Sequence, residues 1–122
     1  MDYRIELIHL NVDDVDASIA FYVERCGFNL DHDHRVSDEI RFVQITPAGS
    51  ACSIALVTGA GELTPARPAS LQVVVADADA ARAEMAERGV EASEVQDFPW
   101  GRFVYFDDPD GNHWSLQEIV AR

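Results

Sequence analysis

Basic residues are scarce in this sequence, and their scarcity limits what the protein can bind. Nine lysines and arginines stand against 22 aspartates and glutamates, which gives a formal net charge of −13. A surface of this sign repels the phosphate backbone of DNA and RNA, so we expect no nucleic-acid partner. The acidity has two interpretations that the sequence leaves open: it keeps the protein in solution, or it attracts a cationic small molecule.

Long apolar runs and cysteine pairs are missing as well. No segment approaches the ~20 apolar residues that a membrane-spanning helix needs, and no basic stretch followed by an apolar one marks a secretory signal at the N-terminus. The only cysteines are Cys26, in a helical pattern, and Cys52, in a strand pattern. Both have apolar neighbours, which predicts buried free thiols rather than a disulfide. The expected location is therefore the cytoplasm, with no membrane partner.

What the sequence does contain is an internal repeat. Its 122 residues suffice for one compact domain but not for two independent ones. A Val-x-Asp-x-Asp-Ala motif begins at Val12 and again at Val75, 63 residues later, and each copy is followed at the same distance by Glu-Arg. Two further matches keep the same order: Arg-Phe-Val at 41–43 and 102–104, and Pro-x-Gly at 47–49 and 109–111. A repeat of this kind decides the fold more firmly than local propensity does.

Each copy of the repeat predicts a strand, a helix and three more strands. Residues 4–12 alternate with a period of two, which indicates a β-strand. In both copies an aspartate then precedes an apolar helical stripe and a glycine follows it, as in a capped helix with a left-handed stop. The expected caps and stops are, in chain order, Asp14 or Asp16, Gly27, Asp77 and Gly89.

The two units together predict an α+β fold made of a tandem βαβββ repeat. The strands after the helices are expected near residues 28–36, 40–46 and 51–58 in the first unit and near 91–96, 102–107 and 112–120 in the second. The units span residues 4–58 and 70–120, and a linker that contains Gly and Pro joins them at 59–69. We expect one domain over residues 1–122, with two curled mixed β-sheets and the helices outside.

Two blocks of this repeat resemble signatures of the vicinal oxygen chelate superfamily, the glyoxalase, bleomycin-resistance and extradiol-dioxygenase group. The first is Val-Asp-Asp-Val-Asp-Ala-Ser-Ile-Ala-Phe-Tyr at 12–22, closed by Cys-Gly-Phe at 26–28; the second is Phe-Asp-Asp-Pro-Asp-Gly-Asn at 106–112, closed by Leu-Gln-Glu at 116–118. The resemblance implies the tandem βαβββ fold, a homodimer and a cupped cavity that both chains often complete. It does not choose a reaction, because members of the group isomerise hemithioacetals, open epoxides, cleave catechols or only sequester bleomycin.

The metal positions that the resemblance implies are only partly filled. They lie on the first and last strands of each unit, at His9, Ala55, Gln72 and Ser115. His9 is a good ligand for Zn, Ni, Mn or Fe and Gln72 a weak neutral one, but alanine and serine stand where metal-dependent relatives have carboxylates. A catalytic zinc site normally has three protein ligands and a proton shuttle needs a base, so the set argues against glyoxalase I activity and no catalytic residue is assigned. Glu118 could substitute only if a bulge turned it to the other face of the last strand.

Polar and aromatic side chains elsewhere are candidate contacts for a small molecule. The expected ligand-binding set is His9, Gln44, Gln72, Phe98, Trp100, Ser115 and Gln117. The aromatic pair, with Arg102 beside it, either gates a cavity and holds a planar or anionic group or plugs the edge of the core. His32 and His34 share a predicted strand face with Leu30 and either chelate a metal or line a solvated strand. Trp114 is expected in the core.

Three functions are open from the sequence. The first, which we favour, is a homodimeric protein that binds a small molecule in the cavity through stacking and hydrogen bonds, without a complete metal site. The second is a divalent-metal-dependent lyase, isomerase or dioxygenase on a small oxygenated substrate, with His9 and Gln72 as ligands and Glu118 recruited. The third is an interaction module that binds another protein through a sheet edge.

Overall fold

The order of secondary-structure elements repeats once along the chain. The computed structural model describes residues 1–59 and 64–120, so the predicted linker at 59–69 lies partly outside the described residues. The elements of the first copy are β1 (Leu7–Asn11), α1 (Val15–Ile19) with a π-helical continuation (Ala20–Arg25), β2 (Asn29–Arg35), β3 (Arg41–Thr46) and β4 (Ser53–Val57). Those of the second copy are β5 (Ser70–Val74), α2 (Ala78–Glu87), β6 (Gln96–Phe98), β7 (Gly101–Asp107) and β8 (His113–Ile119). Two compact units divide the chain, Met1–Arg67 and Pro68–Arg122.

Each unit contains one mixed four-stranded sheet, and the two sheets have the same topology. The strand order is β1-β4-β3-β2 in the first unit and β5-β8-β7-β6 in the second. The first and last strands of each unit pair in parallel, and all other neighbours pair antiparallel. Each helix packs against its own sheet, α1 against β4 and α2 against β7 and β8. The predicted α+β fold of two βαβββ units is confirmed.

Both helices begin and end where the sequence predicts. The side chain of Asp14 accepts a hydrogen bond from the third backbone N–H of α1 at 3.1 Å, and Asp77 does the same for α2 at 3.0 Å. Of the two candidates in the first unit, Asp14 is therefore the cap and Asp16 lies in the first turn. Gly27 and Gly89 follow the helices with φ angles of 76° and 79°, a conformation that other residues adopt only at a cost.

The first helix departs from the regular α-helix that the sequence predicts. After Ile19 it continues as a π-helix, in which the N–H of Cys26 donates to the carbonyl of Phe21, five residues back, at 3.0 Å. Tyr22 in this segment is fully buried and stacks on Phe28, with ring centroids 5.5 Å apart. The stacked pair is a contact with the chain beyond the helix, so helical periodicity alone does not reveal it.

The largest error in the predicted boundaries concerns the second strand of the second unit. It was expected near 91–96, but β6 spans Gln96–Phe98. The reason lies at Ser93, whose Oγ accepts the hydrogen bond from the N–H of Tyr105 at 2.9 Å while its own N–H donates to the Tyr105 carbonyl at 2.8 Å. The Ser93 side chain thus replaces a backbone carbonyl as the acceptor for the N–H of Tyr105, and the segment around Ser93 lies beside β7 without forming a β-strand.

An arginine links the helix to an edge strand in both units. Arg41 lies 2.9 Å from Asp16 in α1 and 2.9 Å from Asp33 in β2. Its counterpart Arg102 lies 2.9 Å from Asp79 in α2 and 2.7 Å from Asp97 in β6. The paired carboxylates raise the pKa of each arginine, and the hydrogen bonds from Arg41 lower the pKa of Asp33. Exposed ion pairs contribute little to stability, so the arrangement mainly orients the helix on the sheet.

The core of each unit lies between its helix and its sheet. On the first strand Leu10 and Val12 are buried, whereas Ile8, two residues before Leu10, is 41% exposed. Trp114 is 1% exposed, which confirms its core position, and it stacks on Phe106 with ring centroids 6.0 Å apart. Within the described residues, no helix has the length and apolar character to cross a bilayer.

The two cysteines are free thiols, as predicted, but the prediction that they are buried is wrong. Cys26 and Cys52 are both of intermediate exposure. Each stands at the end of an element, Cys26 directly after the π-helical segment and Cys52 directly before β4. Element ends open towards solvent more than element centres do, and apolar neighbours in sequence do not show this.

Candidate functional site

In the first unit, His9 and Gln44 lie in one row across the sheet. The register pairs His9 of β1 with Ala55 of β4, Ala55 with Gln44 of β3, and Gln44 with His32 of β2. Directly paired residues point to the same face of a sheet. This face therefore carries two imidazoles and an amide, with a methyl group at the position where the resemblance implies a carboxylate.

The second unit has the corresponding row on its own sheet. Gln72 of β5 pairs with Ser115 of β8, and Ser115 pairs with Tyr105 of β7. Gln117 stands two residues after Ser115 on the same strand, so the two side chains share a face, as the sequence predicts. Here a hydroxyl group occupies the position of the implied carboxylate.

These rows do not fit the metal site that the resemblance implies. In register, His9 meets only an alanine and Gln72 only a serine. Among residues 1–59 and 64–120, no group of three or more His, Cys, Asp or Glu side chains is close enough together to hold a metal ion. A catalytic zinc normally needs three such ligands. The residues of these rows therefore do not supply the ligands of a metal-dependent reaction.

Glu118 is committed to the opposite face of the last strand. The pairing of β8 with β7 runs without a bulge from His113 to Ile119, so the register shift that would bring Glu118 to the site does not occur. Its Oε1 accepts a hydrogen bond from the N–H of Ala78, the first residue of α2, at 2.8 Å. The same atom lies 3.6 Å from a guanidinium nitrogen of Arg102. The carboxylate thus stabilises the start of the helix, and its proposed recruitment as a metal ligand is wrong.

Two histidines on the edge strand β2 of the first unit form a cluster with a phenylalanine on the neighbouring strand β3. The rings of His32 and His34 are 5.7 Å apart, and His32 lies 6.1 Å from the ring of Phe42. The expectation that Leu30 shares their face is wrong, because the register shifts between Leu30 and His32. This β-bulge turns the two residues to opposite faces, and no pattern in the sequence indicates it.

The residue at this bulge joins a hydroxyl network that sequence reasoning missed. Asp31 accepts hydrogen bonds from Thr46 and, at 2.7 Å, from Asn29. Because the single hydroxyl hydrogen of Thr46 goes to Asp31, Ser53 must donate to Thr46, over 2.6 Å. The hydrogen bond from Thr46 is the main cause that lowers the pKa of Asp31. Its carboxylate is thus already used within the sheet.

The second unit carries four aromatic rings in a continuous series, which we call the aromatic platform: Phe98, Trp100, Phe103 and Tyr105. Trp100 stacks on Phe98 at 5.2 Å and 14°, Phe98 meets Phe103 edge to face at 5.7 Å, and Phe103 stacks on Tyr105 at 5.9 Å and 7°. Trp100 is 62% exposed and Phe98 38% exposed, so the pair does not plug the core of its unit. The period of two in β7 could have identified the other two rings, Phe103 and Tyr105, which share one face of the strand; Phe103 is buried and Tyr105 is half-buried.

A chain of amide hydrogen bonds runs beside the platform. Gln72 Nε2 donates to Gln117 Oε1 at 2.8 Å, and Gln117 Nε2 donates to the carbonyl oxygen of Trp100 at 3.1 Å. Gln117 is only 8% exposed, whereas Gln72 is exposed. The structure thus brings together five of the predicted residues: hydrogen bonds link Gln72, Gln117 and Trp100, Ser115 pairs with Gln72, and Phe98 stacks on Trp100.

Arg102 does not serve the aromatic pair as the sequence suggested. Its guanidinium group binds Asp79 and Asp97 and lies near Glu118. Arg102 pairs with Glu118 in the ladder and therefore shares its face, the one that packs on α2. The suggested role in holding an anionic group beside Trp100 is therefore wrong.

Comparison with known proteins agrees with this architecture. A model of the Glyoxalase/Bleomycin resistance protein/Dioxygenase superfamily matches residues 4–116. The chain is 27% identical over 121 residues to YetH of Bacillus subtilis strain 168, which is described as an uncharacterized protein, and the match covers 94% of this chain and 98% of YetH.

Solved structures of similar chains have the same fold. TnmS3 from Streptomyces sp. CB03234, described as an antibiotic binding protein, superposes with a TM-score of 0.85 at 33% identity, over 98% of each chain. A glyoxalase/bleomycin resistance protein from the same organism superposes with a TM-score of 0.78 at 34% identity, over 93% of this chain and 99% of that one.

Proposed function

Because the chain belongs to the Glyoxalase/Bleomycin resistance protein/Dioxygenase superfamily, we propose that it binds a planar aromatic small molecule of the antibiotic type on the aromatic platform. The proposal includes a homodimer, a cytoplasmic location and a binding role that needs no metal. Antibiotic binding is described for TnmS3, which is 33% identical over nearly the whole chain, and its extension to this protein is part of the proposal.

The observation that carries the proposal is the exposed tryptophan on its prearranged stack. Trp100 lies on Phe98 with nearly parallel rings and leaves 62% of its surface open. A further aromatic ring on such a stack gains about 0.5–1.5 kcal/mol beyond the apolar area that it buries. Because Phe98 already orients the indole of Trp100, less conformational entropy is lost when a ligand binds.

The polar residues of the same face favour binding over catalysis. The amides of Gln72 and Gln117 and the hydroxyl of Ser115 donate and accept hydrogen bonds but do not take a proton at neutral pH. His9 and Gln44 are proposed polar contacts on the sheet of the first unit. The net charge of −13 supports a ligand that carries a positive charge, because it raises the rate of encounter.

Isothermal titration calorimetry with a panel of planar aromatic antibiotics tests this function. We expect heat of binding with at least one member, for example daunorubicin, which has fused rings and one ammonium group. Trp100→Ala should weaken that binding about tenfold or more. Tyr3→Ala is the matched control, because Tyr3 is 86% exposed and lies outside the platform. No binding by any member, or equal binding by the Trp100→Ala variant, would contradict the proposal.

Two further measurements test the remaining parts of the proposal. Sedimentation equilibrium should give twice the mass of the 13.5 kDa chain. Elemental analysis of the purified protein should find no stoichiometric zinc, nickel, manganese or iron, and added metal should not change the affinity for the ligand. Tight metal uptake that is required for binding would contradict the metal-free role.

A further inference from the structure

We propose that Gln72 Oε1 is the specificity-determining acceptor of the platform, so that the preferred ligand is a planar aromatic molecule bearing a hydroxyl or amino group. This inference rests on the proposed function and names the class of ligand that the same site selects. It follows from the direction of the amide hydrogen bonds, from the space above one glycine and from the register of the sheet.

The direction of these hydrogen bonds is set by the carbonyl oxygen of Trp100, which can only accept a hydrogen bond. The carbonyl oxygen of Trp100 receives a hydrogen bond over 3.1 Å, so the amide atom of Gln117 that faces it must be Nε2. Gln117 Oε1 then faces Gln72 over 2.8 Å and requires a donor there. Gln72 must turn its own Nε2 inwards, and its Oε1 is directed away from Gln117. Reversing either amide would place two donors or two acceptors against each other.

The Gln72 end of this series of amide hydrogen bonds is open to a ligand. Gln72 is exposed, and among the described residues no hydrogen bond engages its Oε1. A carbonyl oxygen held in a fixed direction binds a ligand O–H or N–H without first paying to orient itself. A ligand with only acceptors at this position would meet the wrong partner, which is how a site discriminates between otherwise similar molecules.

The space for this arrangement depends on Gly101. A Cβ atom at this position would lie 2.7 Å from Gln117 Nε2 and 3.1 Å from Gln117 Cγ. Gly101 is buried and is not among the glycines with positive φ, so the residue is required for space rather than for backbone conformation. Its missing side chain lets Gln117 cross the strand and reach Trp100. Gly101 and Gln117 are thus positioning residues, and Gln72 is the residue that contacts the ligand.

The sheet register sets Gln72 at a suitable distance from the rings. Gln72, Ser115 and Tyr105 stand side by side on three adjacent strands. Neighbouring strands are about 4.8 Å apart, so Gln72 lies roughly 10 Å across the sheet from Tyr105. A ligand of two or three fused rings that covers Tyr105 extends past the small side chain of Ser115 towards Gln72. A hydroxyl or amino substituent at its far edge is then in position to donate.

The test compares 2-hydroxyacridine with 2-methoxyacridine, in which a methyl group replaces the donor hydrogen. We expect the wild-type protein to bind the hydroxyl compound about tenfold more tightly, as one hydrogen bond to a fixed acceptor provides. Gln72→Leu should reduce this ratio to about one while the affinity for the methoxy compound stays within about twofold. Asn29→Leu, which removes an exposed amide from the sheet of the other unit, is the control and should keep the wild-type ratio.

The positioning residues are tested with the same ratio, which a general loss of stability does not change. Gly101→Ala should displace Gln117 and lower the ratio to about threefold or less. Gln117→Leu should give the same result, and it replaces Gly101→Ala if that variant fails to fold. Failure of both acridines to bind would overturn the proposed function itself. Equal binding of the two probes by the wild type, or a hydroxyl preference that survives Gln72→Leu, would overturn this inference and leave the proposed function standing.

Discussion

The two units have the same framework but different exposed faces. Both have an aspartate cap, a left-handed glycine after the helix and an arginine that joins helix to edge strand. On the face away from the helix, the first unit carries His9, Gln44 and the histidine cluster around Phe42. The second carries the aromatic platform and the amide chain. Features common to both copies therefore serve the fold, and those found in one copy are the candidates for function.

The largest effect expected from this comparison concerns the two cores. Trp114 and Ile54 both stand at the second position of the last strand, and both are buried. Trp114→Ala should lower the free energy of unfolding by about 3–5 kcal/mol, because it removes the stack on Phe106, whereas Ile54→Val should cost only about 0.5–1.5 kcal/mol. Urea denaturation measures both. A loss below about 1 kcal/mol for Trp114→Ala would show that this ring is not an essential part of the core.

A second prediction compares the two exposed faces directly. Phe98 and Phe42 are the same residue type and are 38% and 37% exposed, so they form a matched pair. Phe98→Ala should weaken binding of an aromatic ligand about tenfold, since it removes the ring on which Trp100 lies. Phe42→Ala should leave the affinity within about twofold. Calorimetric titration of both variants decides, and equal losses would mean that ligand binding is not confined to the second unit's platform.

A third prediction tests whether the common framework contributes equally in both units. Asp14→Ala and Asp77→Ala should each cost about 1 kcal/mol, because each removes the acceptor for one N–H of the first helical turn. Thermal unfolding of the two variants measures the loss. A cost that appears in one variant only would show that the two caps, although alike in geometry, are not equivalent.

The smallest expected effect is on the stability of the folded protein at acidic pH. Arg41 lowers the pKa of Asp33 in the folded state. The ion pair therefore contributes stability above the unfolded-state pKa of about 3.9, and this contribution is lost as the pH falls through the lower folded-state pKa. Asp33→Asn should make the decrease of stability below about pH 4 less steep. Asp38→Asn, in the adjoining hairpin, is the control, and identical curves for Asp33→Asn and the wild type would contradict the prediction.

Local signals in the sequence predicted the framework well, because its determinants are close together in the chain. The caps and the left-handed glycines depend on three or four neighbouring residues, and the strand parity that placed Glu118 away from the site depends on Ser115, only three residues before it. The repeat then determined the topology, since one unit could be superposed on the other. For the same reason the absence of two implied carboxylates could be recognised from sequence alone.

The details of the face could not be predicted, because they depend on contacts between distant residues. The bulge before His32 arises where β2 meets β3, and the hydrogen bonds of Ser93 involve Tyr105, twelve residues away. The amide chain joins Gln72 to Gln117, 45 residues apart, and it needs the missing side chain of Gly101. Parity placed Gln117 on the right face, but no pattern in sequence shows which amide atom faces which.

The contrast between the two tryptophans also gives the protein two built-in optical reporters. The protein has two tryptophans in all, and Trp114 is buried in the core while Trp100 is largely exposed on the platform. An indole in an apolar core emits at shorter wavelength than one in water, so the two contribute to different parts of one emission spectrum. The red part should respond when a ligand covers the platform, and the blue part should shift when the chain unfolds. The fluorescence of an unlabelled sample thus records ligand binding to the platform and unfolding of the chain separately.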